Sequence, residues 1–300
     1  MRIQQRSILF ALLGSMLLSG SALLSGCDST SPDETSPRYV VESYLIAGEP
    51  FRRVLVSTTA GIDAQYNFGD RLVRDATVRI DRLAADGSTA ESIPFERLSS
   101  VYQPVDQSVI VQPGATYRLV VNTADGNVVS SETTVPGAFE VVSVNADSVQ
   151  YQGDVQVAVN ISKSVYKDRQ SIFVFSIESL DPSLDALTPV YSSFIESEDD
   201  LEDVLITESP PFNQDNYEAN SDGTLTIKLP WLAVAFYGPN RIVASAIDDN
   251  LFDFLRSQSI QQGGSTFSPG EIPNVITHVD GGTGVFASMA RASLQTYIGR

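Results

Sequence analysis

The stretch ATYRLVVNTADGN, residues 115–127, reads as a strand running into a tight turn. Tyr117, Leu119 and Val121 alternate with Arg118, Val120 and Asn122, a period of two that sends one set of side chains to a buried face and the other outward. Asp125-Gly126 then supplies turn chemistry, because glycine accepts the positive φ that a hairpin turn demands. The same grammar recurs on either side. In DATVRIDRL (75–83), Ala76, Val78 and Ile80 alternate with Thr77, Arg79 and Asp81, and DVQVAVNIS (154–162) repeats the pattern at Val155, Val157, Val159 and Ile161. ADGS (85–88), PG (113–114) and SDGT (221–224) punctuate the runs. Short strands spaced this way predict an all-β chain built as a β-sandwich.

Further strands are predicted at 155–162, 172–179, 190–195, 225–229, 242–247, 275–279, 285–289 and 292–298. TTVPGAF (133–139) meets Pro136 and Gly137 and marks a boundary between an N-terminal β-sandwich, 38–137, and a C-terminal β-rich domain, 138–300. The latter carries an acidic insertion, 196–222. Within it SEDDLEDVL (197–205) predicts a short capped helix, since Ser197 has an acid three residues on. DDNLFDFLRSQ (248–258) places Leu251, Phe254, Leu255 and Gln258 at helical spacing and predicts a second helix.

Charge narrows the function classes. The chain has 19 Lys and Arg against 37 Asp and Glu, a net charge of −18. Such a surface repels phosphate backbones, and there is no basic run or zinc-finger spacing to offset it, so nucleic acid is an unsuitable partner. One cysteine cannot close an internal disulfide, and with one histidine it cannot build a Cys/His zinc site. The fold has to hold by packing.

The amino terminus explains that cysteine. Arg2 and Arg6 precede an apolar run from Ile8 to Leu24, interrupted by Gly14, Ser15, Ser19, Gly20 and Ser21, and the run ends in LSGC, Leu24 to Cys27. A basic start, an apolar centre and small residues before a cleavage point are the layout of a secretory signal, here 1–26. An aliphatic residue, two small ones and then Cys resembles the lipobox of bacterial lipoproteins, which makes Cys27 a lipidation site and the membrane a partner through its acyl chains. DSTSPDETSP (28–37) has no apolar side chain, so residues 27–37 read as a flexible tether. The expected address is a lipid-anchored place in the cell envelope, most simply the outer membrane.

Longer blocks carry a family resemblance. YVVESYLIAGEPFRRVLVSTT (39–59), VRDATVRI (73–80), VQPGATYRLVVNTADGNVVSSETTVP (111–136) and NVITHVDGGTGVFAS (274–288) resemble, in order and spacing, an uncharacterised lipoprotein family of Bacteroidetes-type bacteria known as a domain of unknown function. The Gly-Gly-x-Gly-x-Phe block is the most specific part. The resemblance implies an Ig-like or transthyretin-like N-terminal sandwich and a companion role beside a TonB-dependent receptor. It implies no catalytic residues.

Candidate sites are few. His278 has Asp280 two residues away on one expected strand face; without a G-x-S-x-G elbow it reads as a structural histidine. Gly282-x-Gly284-x-x-Ala287 imitates a dinucleotide fingerprint but lacks room for the βαβ unit that would make it one, so no cofactor is expected and the glycines read as a tight turn or close backbone approach. EANSDG (218–223) opens like a calcium loop through Glu218, Asn220 and Asp222, yet its twelfth position is Leu229 where a bidentate Glu is required. Asp199, Asp200, Glu202 and Asp203 read as a solvated face or an acidic docking surface. Trp231, Phe236, Tyr237, Phe252 and Phe254 read as core or as a sugar platform. The leading expectation is a non-enzymatic accessory or binding lipoprotein, partner of an outer-membrane receptor or transport system. Its alternatives are an envelope hydrolase acting on glycan or peptide through carboxylates that sequence cannot locate, and a structural or adhesive envelope protein.

Overall fold

Sixteen strands fall into three sheets in the computed structural model, which describes residues 37–61, 67–261 and 275–300. Cys27, the expected signal segment 1–26 and the expected tether up to residue 36 lie outside the described residues. An eight-stranded sheet runs, in spatial order, β12 (Ile206–Glu208), β11 (Ile172–Ser179), β15 (Gly238–Ile247), β16 (Thr283–Gly299), β1 (Tyr39–Ile46) and β2 (Leu55–Thr58), with β13 (Phe212–Asn213) on β11 and β9 (Ser148–Gln150) on β16. A five-stranded sheet runs β5 (Val101–Pro104), β4 (Thr89–Leu98), β3 (Thr77–Leu83), β6 (Thr116–Asn122) and β7 (Val128–Thr134). A three-stranded sheet runs β14 (Leu225–Lys228), β10 (Ala158–Ile161) and β8 (Val141–Val144). Among the described residues two helices are α-helical: α1 (Phe68–Arg71) and α2 (Asp249–Gln261). The chain is all-β with minor helices.

Most of the alternating apolar residues go where their period sends them; Val155, ahead of β10, is exposed, and Val120 and Asp81, expected outward, are buried. Tyr117, Leu119, Val121, Val78 and Ile80 are buried in a first core against Val41, Val54, Val56 and Phe286. In the β6–β7 hairpin Gly126 takes φ +87°, and the Asp125 carboxylate accepts the Tyr39 hydroxyl at 2.8 Å, tying the turn to β1. A second core packs Val159, Ile161, Leu225 and Ile227 of the small sheet on Phe173, Phe175, Ile242, Ala244, Ala290 and Ile298. α2 covers the outer face of the large sheet with Leu251 against Ile172, Ile247, Val285 and Ala287.

β16 belongs to both cores. Residues 283–289 pair in parallel with β1, and residues 289–298 pair antiparallel with β15. The segment 38–137 is therefore not closed on itself: its first two strands, β1 and β2, complete a sheet whose other strands come from 138–300, and Val279 and Phe286 from beyond Pro136–Gly137 pack in the first core. The two strands expected at 285–289 and 292–298 are this single strand, because each half finds a partner on its own edge and no break is needed. The strand expected at 275–279 is absent; the segment is unpaired until Asp280 bridges Ser130. The strand expected at 190–195 is a 3-10 turn, Tyr191–Ser193, in which Ser193 N donates to Val190 O and Phe194 N to Tyr191 O. The helix expected at 197–205 is present as 3-10, Glu198–Val204, with the Asp200 carboxylate accepting from Ser197 N and Oγ at 3.1 and 2.7 Å.

Two local devices hold β16 at the seam. The first is the glycine turn before it. Gly281 and Gly284 have φ of +71° and +109°, and a Cβ on Gly284 would lie 2.1 Å from Val41 O, so only glycine lets β16 run this close to β1. The second is a buried polar chain where the inner face of β16 passes from Phe286 in the first core to Ala290 in the second. Ser288 Oγ donates to Thr134 O (3.0 Å), Thr133 Oγ1 lies 2.6 Å from Ser288 Oγ, and Thr133 Oγ1 contacts Asp248 Oδ2. The Asp248 Oδ1 caps α2 by accepting Leu251 N at 2.8 Å. Thr133 Oγ1 donates to the Asp248 carboxylate, so the chain runs from the backbone of β7 to the cap of α2. Burial pushes this carboxyl up to about 7, against the opposing effect of the hydrogen bonds it accepts from Thr133 and Leu251 N.

Two outcomes follow for measurement by urea denaturation. Gly284→Ala should destabilise the protein by about 3 kcal/mol or more, whereas Gly238→Ala, at φ +93° with nothing within 4 Å of its added Cβ, should cost about 1 kcal/mol; equal costs would remove the close-approach argument. A carboxyl whose folded pKa is raised contributes stability that is full below its unfolded pKa and is lost as pH rises through the folded one. Compared with Asp248→Asn, which is isosteric and does not titrate, the wild type should lose up to about 4 kcal/mol between pH 4 and 7. Parallel pH curves for the two proteins would refute a raised pKa at Asp248.

Candidate functional site

The glycine turn also builds a cleft. Turning at Gly281 lays 277–280 against β7, where Ser130 N donates to Asp280 O at 3.0 Å and Asp280 N to Ser130 O at 2.8 Å. Thr277 Oγ1 donates to Gly284 O at 2.9 Å and fastens the other end of the strap. The amino end of α2 closes the third side, with Asn250 Nδ2 donating to Glu132 O (2.6 Å) and Phe286 O (2.7 Å). Between them lies a cleft of about 410 Å³, lined by Arg118, Ser130, Ser131, Glu132, Asn250, Thr277, His278, Val279 and Asp280.

Its polar groups are positioned by structure already described. Arg118 on β6 and Glu132 on β7 are cross-strand partners and form an ion pair at 2.6 Å. His278 Nε2 lies 2.8 Å from Asp253 Oδ2 on α2, which fixes the imidazole plane. The expected neighbour Asp280 instead uses its backbone to bridge β7. His278 is therefore an oriented, partly exposed imidazole whose partner is 25 residues away in sequence. Asp253 and Asn250 carry no local motif and escape sequence reading; the helical period of 248–258 was the one signal that placed them near each other. Ser131 Oγ, buried beside the cleft, has no hydrogen-bond partner among the described residues. Such an arrangement offers a cation, two carboxylates, an amide and an imidazole to one small space, a set suited to holding a polar molecule.

The remaining candidates are distributed elsewhere. After Gly284 comes β16 and not a helix, so the phosphate-facing helix terminus of a dinucleotide site is replaced by a strand. Asp222 accepts Thr224 N and Oγ1 at 3.0 and 2.7 Å, bonds that lower its pKa, and Asn220 Nδ2 donates to Thr224 Oγ1 and Thr226 Oγ1. Those two side chains close the turn before β14, and Glu218 stands exposed beside it. Among the described residues no group of three or more His, Cys, Asp or Glu converges to hold a metal ion, and no helix is long and apolar enough to cross a membrane. Trp231 and Tyr237 pack on the second core, Phe236 in a third, and Phe252 and Phe254 lie on α2 against the Ile172, Ile247 and Val285 cluster, so these aromatics form no common platform. A second cavity, of about 580 Å³, lies beside β1 and β2 and is lined in part by Tyr44, Phe51, Arg52, Arg53 and Gln103.

Comparison with solved structures finds loose likenesses. Trypsin-activated alpha-2-macroglobulin from Escherichia coli is 11% identical over 71% of this chain and 15% of its own, with a TM-score of 0.21. Salmonella alpha-2-macroglobulin reacted with methylamine is 11% identical over 87% of this chain and 15% of its own, at 0.24. Murine CEACAM1b is 8% identical over 87% and 99%, at 0.17. The chain spans about 15% of the length of those macroglobulins, and likenesses this loose say nothing of activity. No curated protein matches the chain. Residues 28–295 match one family model, and the chain belongs to that family, described as Domain of unknown function (DUF4249).

Proposed function

We propose that the protein is a lipid-anchored accessory protein of the cell envelope that binds a small polar molecule in the cleft between β7, the 277–280 strap and α2. The single observation that carries this reading is the convergence of Arg118, Glu132, Asn250, His278 and Asp280 on one cavity of about 410 Å³, a volume in the range of small-molecule sites. Groups of both charge signs suit a ligand rich in hydroxyls or bearing both charges, such as a sugar or an amino-acid terminus. The lipobox at Leu24–Cys27 supports the anchor, and the resemblance of its sequence blocks to TonB-associated lipoproteins supports a partner in outer-membrane uptake.

Two measurements test it. Screening monosaccharides, oligosaccharides and amino acids by thermal shift should find a ligand whose affinity drops about tenfold, or 1.4 kcal/mol, in His278→Ala. A panel with no shift, or a shift that survives the substitution, would sink the cleft. Cys27→Ser should move the protein from the membrane fraction to the soluble one, and quantitative retention in the membrane would sink the anchor.

The His278–Asp253 contact favours a second reading, an envelope hydrolase, because a carboxylate that orients an imidazole is what a general base requires. Ester turnover that disappears in His278→Asn without a change in melting temperature would favour it over binding alone.

A further inference from the structure

A second surface stands apart from the cleft. Between β11 and β15, Phe194 and Leu232 are 55% and 64% exposed and Val190 is 36% exposed, although all three sit on well-formed backbone. Tyr191 joins Phe194 and Leu232: its ring packs on Phe194 at 5.3 Å, and its hydroxyl donates to Leu232 O at 2.8 Å. Below them Leu187, Ile195, Leu201, Val204 and Phe236 form a small core of their own. The platform is thus rigid, with its apolar groups presented to solvent on a supported base.

Its edge is anionic. From Gln170 to Ile227 the chain carries 13 Asp and Glu and no Lys or Arg. Among the described residues, Glu178, paired with Arg241, is the one carboxylate of that stretch in an ion pair. The 3-10 segment Glu198–Val204 buries Leu201 and Val204 in the same small core and turns Glu198, Asp199, Glu202 and Asp203 to solvent. Asp200 is occupied internally by Ser197, whose hydroxyl lowers its pKa.

The geometry points to a protein-docking face whose occupant is another protein presenting an apolar pocket ringed by lysine and arginine. Phe194 and Leu232 would be the anchors, and the carboxylate rim would steer and orient the approach. Charge selects this occupant over the others. A second copy meeting face to face would set one acidic rim on the other, and an anionic lipid surface or a nucleic acid would be repelled. The inference rests on reading the chain as an accessory protein, and it gives that reading's partner a chemistry.

The test uses an amphipathic helical peptide of leucine and lysine, with a scrambled peptide of identical composition as control. Its binding to the purified protein is followed by fluorescence anisotropy across a salt series. The intact peptide should bind about tenfold more tightly than the scrambled one. Phe194→Ser with Leu232→Ser should remove that preference. Glu198→Gln, Asp199→Asn, Glu202→Gln and Asp203→Asn together should weaken binding about tenfold and flatten its salt dependence. All these positions are exposed, and circular dichroism checks that each variant is folded. Equal binding of the two peptides, which marks unspecific attraction to an acidic protein, overturns the inference. So does a Ser variant that binds as wild type, or a wild-type dimer in sedimentation that dissociates in the Ser variant. His278→Ala should leave peptide binding unchanged, so failure of the cleft and failure of the docking face are told apart.

Discussion

A strand cannot serve two cores unless each part of it finds its own partners, and β16 meets that condition by changing partners at Met289. Its first half takes β1 on one edge and its second half takes β15 on the other, so backbone donors and acceptors on both edges are drawn from opposite ends of the chain. The side chains follow. Phe286 enters the first core and Ala290 the second, while Val285 and Ala287 face α2. Pairing between residues so far apart in sequence makes the seam the place where the two halves are joined.

The seam itself is polar, and this needs a physical reason. Burying a hydroxyl costs about 1–3 kcal/mol when it is left unpaired and little when it is hydrogen-bonded. Ser288, Thr133 and Asp248 are satisfied in sequence, and the far end of that sequence is the cap of α2. A hydrophobic residue at Ser288 would fill the same space without specifying which turn of α2 lies over β7. The hydrogen-bonded chain does specify it, and through Asn250 and Asp253 it also sets the third wall of the cleft. The glycine turn sets the other two. Gly284 permits the approach of β16 to β1, Gly281 fits against Val128 O, and together they lay His278 beside β7. The Gly281-Gly282-x-Gly284 block is thus a backbone device, and the cleft follows from it.

That division explains what could be read from sequence. Tyr117, Leu119 and Val121, or Val157, Val159 and Ile161, announce a buried face because period-two alternation is local. Glu198–Val204 and Asp249–Gln261 were legible from a cap and from helical spacing, although the first is 3-10. Thr133, Asp248 and Ser288 were not, since nothing in their neighbours marks them as meeting. The same holds for His278 and Asp253, which met through a helix position and a strap that has no regular structure. Residues 275–279 alternate like a strand but find no partner there, because the edge of β7 is already occupied by Asp280, Asn250 and Ser288. Alternation reports which faces are apolar; it does not report whether a free edge exists.

The distribution of charge separates the two halves further. In the first, arginines are spread among acids and pair across strands: Arg79 with Asp81, Arg82 with Glu91, Arg118 with Glu132. Each such surface pair contributes about 0–1 kcal/mol, and collectively they keep the sheet near neutrality. Residues 170–227 do the opposite. Their carboxylates repel one another and, Glu178 apart, have no basic partner among the described residues, at a cost to stability that a few lysines would remove. Exposed Phe194 and Leu232 add a solubility cost beside them. Two unfavourable features kept side by side on a rigid support are what a face looks like when its balancing charges and its covering apolar surface belong to another molecule.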